Sequence, residues 1–184
     1  MWKGRHFLYV IWGLILGGKT IMAFQLTSPT FVHGGEISKA YTCEGNDLFP
    51  GVEWSGAPQG TKIFVLICDD PDVPEALRDK VPDLVWDHLV IFNIPSNVSS
   101  IPQGPFECPL GAFCGTNSWG RQDYGGPCPP NPKYHRYHFT LYALDAPLNL
   151  SPSAGKKDVL NALEGHLLGK ALLIGRYMKQ AFKG

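Results

Sequence analysis

The five cysteines contain no C-x-x-C pair, which argues against a zinc ribbon or a thioredoxin-type redox motif. The chain also lacks a phosphate loop, a G-x-G-x-x-G turn and a G-x-S-x-G nucleophile elbow. Charge is scarce at 17%, and Lys plus Arg equal Asp plus Glu at 16 each. No basic cluster is visible, so nucleic acid is not an expected partner. The apolar run over 7–18 is too short to cross a bilayer comfortably, and no integral span is expected in the mature domain. There is no internal repeat, no low-complexity tract and no sign of a second domain.

What is present is turn chemistry. With 21 Gly and 16 Pro in 184 residues, and 44% hydrophobic residues, the chain reads as one β-rich domain with a real core. The N-terminus differs in kind. Lys3, Arg5 and His6 precede the 7–18 run, as in a signal peptide, but 21–23 make a poor cleavage site. Residues 1–22 are therefore read either as a leader or as a mis-assigned extension, with Met22 as the alternative start. A leader implies a periplasmic or secreted protein; without one the expectation is cytoplasmic. The domain itself is placed at 23–184. Cys108 and Cys114 flank a Pro/Gly-rich loop and can pair in an exported chain, but the pairing of Cys43, Cys108, Cys114 and Cys128 is open. Cys68 sits in an apolar run and reads as a small buried hydrophobe.

Along the chain, strands are expected at 24–27, 37–43, 52–55, 63–68, 84–94, 134–144 and 172–178. Alternation in 84–94 places Trp86, His88, Val90 and Phe92 on one face; in 134–144 it places His135, Tyr137, Phe139 and Leu141 on one face. One helix is expected at 154–170, capped by Ser153 with Gly169 near its end. The long 95–133 stretch has little periodicity, and such loops are often functional.

The chemistry gathers at three strand ends. Asp70 closes the 63–68 run, His88 lies beside Trp86, and His135 lies beside Tyr137. If these strands are neighbours, a carboxylate, two imidazoles, an indole and a phenol converge in a pocket suited to a small anion. The Gly125-Gly126 backbone can add donors, and the aromatics can cover a zwitterionic or quaternary head group. The blander alternatives are hydrogen-bonded structural histidines, and aspartates that cap turns. A zinc set of Asp70, His88 and His135 fits by ligand type but not by motif spacing, and no cofactor is expected.

Several motifs occur in one order. They are Asp70-Pro71-Asp72-Val73-Pro74, Trp86-Asp87-His88, the run from Gly120 through Tyr124-Gly125-Gly126-Pro127-Cys128-Pro129-Pro130, and His135-Arg136-Tyr137-His138-Phe139. Over about 24–178 the chain resembles the phosphatidylethanolamine-binding protein family, in its bacterial Raf-kinase-inhibitor-like branch. The resemblance implies a mainly β fold: a large antiparallel sheet, a smaller sheet and a C-terminal helix. It implies a non-enzymatic binding protein with a small anion pocket for phosphate, carboxylate or phospholipid head groups. By motif, Asp70, Pro74, Trp86, His88, Gly126, Pro127, His135 and Tyr137 map to the pocket, and Tyr124 and Cys128 to its rim. A cis bond before Pro74 is also implied. Where the family often has D-x-S-P-P, this chain has Asp47-Leu48-Phe49-Pro50-Gly51, which changes the local rim. The alternative functions are a regulator or inhibitor of a protein kinase or protease acting through the rim, and a hydrolase using Cys128 or a metal. A homodimer is left open.

Overall fold

Alternating apolar residues build the fold's two sheets, and two irregularities in one strand decide which of them face the site. The computed structural model describes residues 23–81 and 83–179, so the leader reading lies outside the described residues. In chain order the elements are β1 (Gln25–Thr27), β2 (Val52–Ser55), β3 (Ile63–Asp70), β4 (Trp86–Pro95), β5 (Ser100–Ile101), β6 (Phe113–Cys114), β7 (His135–Leu144), α1 (Lys156–Ala162) and β8 (Leu167–Tyr177). A three-stranded sheet runs β1-β2-β5, and a five-stranded sheet runs β6-β4-β3-β7-β8. Every pairing between these strands is antiparallel.

The main core lies between the sheets. Phe64, Leu66 and Cys68 of β3, Tyr137, Phe139 and Leu141 of β7, and Leu173 of β8 pack against Leu26, Val52, Trp54 and Ile101 of the small sheet. The opposite face of the large sheet carries Ile63, Val65, Ile67, Val90 and Phe92, covered by Leu148, Val159 and Leu163 around α1. β3 is buried on both faces, which is why it reads as a continuous apolar run.

β4 departs from simple alternation. Cys68 pairs with Leu89 and Asp69 with Asp87, so His88 is one residue too many and forms a bulge. A second bulge falls at Asn93, whose φ is 57° and whose side chain exchanges two hydrogen bonds with the backbone of Leu148. The expected single face of Trp86, His88, Val90 and Phe92 is therefore split. Val90 and Phe92 face the helix, while Leu89 and Ile91 join the main core below His88.

Three further expectations change. The 37–43 stretch is not a strand: it is a 3-10 turn at Lys39–Tyr41, with Ile37 packed on Gly175 of β8. The helix is α1 alone, shorter than 154–170. Gly155, not Ser153, is its N-cap, and Asp158 Oδ2 accepts the Gly155 N–H. Gly165, at φ 82°, stops the helical course, and β8 starts at Leu167 because ten of its residues pair with β7. Finally, the peptide bond before Pro74 is trans; none among the described residues is cis.

Candidate functional site

The site forms where the C-terminal end of β3 lies between the ends of β4 and β7. On β3, successive side chains alternate, so Asp70 follows Cys68 onto the main-core face while Asp69 points to the helix face. Asp70 pairs with Trp86 of β4, and Asp69 with His138 of β7, which brings His135 within reach of Asp70. His135 Nδ1–H donates to Asp70 Oδ2 at 2.7 Å, and the backbone N–H of Asp72 donates to Asp70 Oδ1 at 2.8 Å. Asp70 is 4% exposed and His135 2%. On the next residue, the Arg136 guanidinium forms a bidentate pair with Asp72, which also accepts the Arg136 N–H. The hydrogen bond from Arg136 holds the Asp72 carboxyl below its ordinary range.

The bulge aims His88. Its Nδ1–H donates to the carbonyl of Gly125 at 2.6 Å, and its own carbonyl accepts the Gly125 N–H at 3.2 Å. A carbonyl can only accept, so the ring proton is on Nδ1 and Nε2 is left as an acceptor. Burial pushes the imidazole's proton affinity down, against the opposing pull of Gly125 and the Asp70 carboxylate, so the neutral ring is favoured. Tyr137, wholly buried, packs edge-on to His88 with ring centroids 5.2 Å apart.

A cavity of about 240 Å³ opens on this cluster. Its wall is Asp70, Val73, Pro74, Leu77, Trp86, His88, Trp119, Cys128 and Pro130, with no Lys or Arg among them. The indole Nε1–H of Trp86 is buried and has no hydrogen-bond partner among the described residues; the same holds for the hydroxyls of Tyr137 and Tyr124. No three His, Cys, Asp or Glu side chains among the described residues are arranged to hold a metal ion.

The sequence-derived residues fall into two layers. Asp70, Pro74, Trp86, His88 and Cys128 share the cavity wall. His135 and Tyr137 stand behind it, bonded to Asp70 and packed on His88. Tyr124, Gly126 and Pro127 are not on the wall. Tyr124 packs among Phe49 and Phe106, the Gly126 N–H donates to Asp47 Oδ1 at 2.8 Å, and the Pro127 carbonyl accepts the Cys43 N–H. The Gly125 and Gly126 N–H groups are thus already spent inside the protein. Asp47, on the segment that departs from D-x-S-P-P, is the carboxylate that holds Gly126. A disulfide joins Cys43 to Cys128 and fastens the two segments, so Cys128 offers no free thiolate. Cys108 pairs with Cys114; Cys68 is free and buried, its thiol pushed up by burial.

Val73, Leu77, Trp119 and Pro130 also line the wall and were not among the sequence-derived site residues; Trp119 is the one whose ring packs on that set. It stands edge-on to Trp86 and His88, at 5.2 and 5.1 Å, with the Arg121 guanidinium over its ring. Asn117 positions it: Oδ1 accepts the N–H groups of Trp119 and Arg121, and Nδ2 donates to the Asp123 carbonyl. A Cβ on Gly125 would lie 2.6 Å from the Trp119 ring, so glycine is needed there for close approach. The Asn117-to-Gly120 turn chemistry was the available signal.

The model of the family described as phosphatidylethanolamine-binding protein matches residues 27–178. A UPF0098 protein of Methanothermobacter thermautotrophicus is 44% identical over 158 residues, covering 84% of this chain and 99% of its own. The crystal structure of a phosphatidylethanolamine-binding protein homologue from Chlamydia trachomatis superposes with a TM-score of 0.78 at 38% identity, covering 86% of this chain and 99% of that one. Escherichia coli YbcL, described as a member of the mammalian family, gives a TM-score of 0.75 at 29% identity, covering 85% and 99%.

Proposed function

The chain belongs to the phosphatidylethanolamine-binding protein family, and on that premise we propose that it is a non-enzymatic binding protein. Its ligand is a small molecule carrying a phosphate or carboxylate, phospholipid head groups included, held in the cavity between Asp70, Trp86, His88 and Trp119. The observation that carries this reading is the pair of rigidly held groups on the cavity wall: Asp70, fixed by His135 and the Asp72 N–H, and His88, fixed through its Nδ1 by the Gly125 carbonyl so that Nε2 stays available. The indoles, Val73, Leu77 and Pro74 give the mouth an apolar collar suited to the rest of an amphiphilic ligand.

Both disulfides support an oxidising compartment, periplasmic or extracellular, as the place where the protein works. Calorimetry with phosphoethanolamine tests the site. The wild type should bind, and His88→Ala and His135→Ala should each lose measurable binding while keeping the native circular-dichroism spectrum. If both variants bind like the wild type, the cavity is not the site.

A further inference from the structure

Cys128 is a wall residue of the cavity and also one half of a disulfide. Its partner, Cys43, stands on a segment fixed to the body of the domain. There the buried Thr42 hydroxyl donates to the Lys39 carbonyl at 2.9 Å, and the Tyr177 hydroxyl of β8 donates to the Glu44 carboxylate. The Cys128 side is held from one direction. Gly125 exchanges two hydrogen bonds with His88, Gly126 donates to Asp47, and Pro127 accepts from Cys43. Past Cys128 the chain runs Pro129-Pro130-Asn131-Pro132, where three of the four residues have no N–H to donate. Pro130, within that donor-poor stretch, is again a wall residue. The disulfide therefore ties the wall to the fixed segment at the point where backbone bonding gives out.

The bond is also open to chemistry. Cys43 and Cys128 are both exposed, and exposed disulfides are the ones that external thiols reach. The second disulfide differs on each count. Cys114 is buried, and Cys108 borders a separate groove that shares no residue with the cavity wall. The free thiol, Cys68, is 1% exposed and inert by burial, so a reductant of the clasp comes from outside the chain.

We propose that the Cys43–Cys128 bond is a redox switch on the cavity, opened by an external dithiol; this rests on the cavity being the ligand site. A thiolate of the dithiol attacks Sγ of one cysteine, the S–S bond breaks, and the other cysteine leaves as a thiolate that takes up a proton. The second thiol of the reagent then attacks the mixed disulfide, releases the remaining cysteine as a thiol and closes as a cyclic disulfide. Two electrons and two protons pass to the protein. Reduction frees Cys128 and Pro130 from the fixed segment and loosens the Gly125 carbonyl that aims His88. Affinity falls while the two sheets stay packed. By reciprocity, a bound ligand favours the closed bond.

The probe is phosphoethanolamine, in two readings. The first uses Cys108→Ser/Cys114→Ser protein, in which the clasp is the single disulfide and the cavity wall is unaltered. Calorimetry should show its oxidised form binding like the wild type and its dithiothreitol-reduced form binding at least about 10-fold more weakly, with the native circular-dichroism spectrum kept. The second uses the wild type, so it stands even where the variant fails to fold. Alkylation across dithiothreitol redox buffers, assigned by peptide mass, gives the potential of the Cys43–Cys128 pair. Saturating phosphoethanolamine should make it more negative by about 30 mV, the same tenfold factor for a two-electron couple. Equal affinity of the two forms, a potential unmoved by the ligand, or reduction that unfolds the protein would each overturn the proposal and leave the cavity as the site. Absence of phosphoethanolamine binding by the oxidised wild type would overturn the site reading and the proposal together.

Discussion

Asp69 and Asp70 are neighbours at the end of β3, yet they serve opposite faces of the same sheet and meet opposite solutions. On the helix face, Asp69 lies across from Asp87 of β4, and Lys156 of α1 reaches both, at 2.6 and 2.9 Å. Two carboxylates placed directly opposite one another on paired strands would repel, so the lysine is what lets that register stand. Burial keeps the Asp87 carboxyl above its ordinary range even so, with Lys156 only partly offsetting it. On the site face, Asp70 has no lysine. It is buried, bonded to an imidazole and a backbone N–H, and borders a cavity. The helix face pairs both of its carboxylates internally with one lysine. The site face keeps donors and acceptors in reserve, which is the difference between a structural ion pair and a binding site.

The two faces should come apart under substitution. The largest effect is expected at the clasp on the site side. Replacing Cys43 and Cys128 together with Ser removes a link spanning 85 residues of sequence, and the loop-closure estimate is a loss of about 4–5 kcal/mol. The same change at Cys108 and Cys114, six residues apart, should cost about 2–3 kcal/mol. Urea denaturation of the two double variants reads the difference, and equal losses would mean that the clasp does not constrain the unfolded chain as described.

Next in size is Lys156→Met, which leaves Asp69 and Asp87 facing each other. Because the lysine side chain is still 18% exposed, a loss of about 2–3 kcal/mol at pH 7 is expected, below the value for a fully buried pair. The folded pKa of Asp87 is raised above 3.8, so its protonation favours the folded state in acid and that contribution disappears as pH rises through the folded value. The variant's deficit should accordingly shrink toward pH 4. A deficit independent of pH would remove the charge explanation.

The smallest effect belongs to the exposed Arg136–Asp72 pair, where Arg136→Ala should cost under about 1 kcal/mol. Here the sign reverses. Asp72 is held below 3.8, so the pair stabilises above that pH and its contribution is lost as pH falls through the lowered value. Stability curves of wild type and Arg136→Ala should converge as pH falls through the lowered Asp72 value and separate as pH rises above 3.8.

Much of the site face could be read from residue order. Period-two alternation on β7 correctly grouped Tyr137, Phe139 and Leu141, because that strand is regular where the three residues lie. The same rule failed on β4, where the bulge at His88 shifts the residues from Leu89 to Phe92 to the opposite faces until the bulge at Asn93 restores the phase, and nothing in W-D-H-L-V-I announces a bulge. The helix was over-extended because Val159, Leu160, Leu163, Leu167 and Ala171 keep helical spacing across a boundary that pairing with β7 imposes from outside. The Lys156 clasp and the placement of Trp119 by Asn117 depend on contacts between distant segments, and such contacts leave no periodic trace. The glycine-proline stretch drew attention as a source of anion donors. Its amides turn out to bind Asp47 and His88, so its work is to hold the wall that other residues present.

The claim that the site face, and not the helix face, receives the ligand is tested most directly by titrating 15N-labelled protein with phosphoethanolamine at pH 6. The account predicts perturbations gathered at Asp70, Trp86, His88, Trp119 and Gly125 and none near Lys156. Perturbations centred on the groove lined by Asp87, Lys156 and Asn161, with Asp70, His88 and Trp119 unmoved, would contradict it.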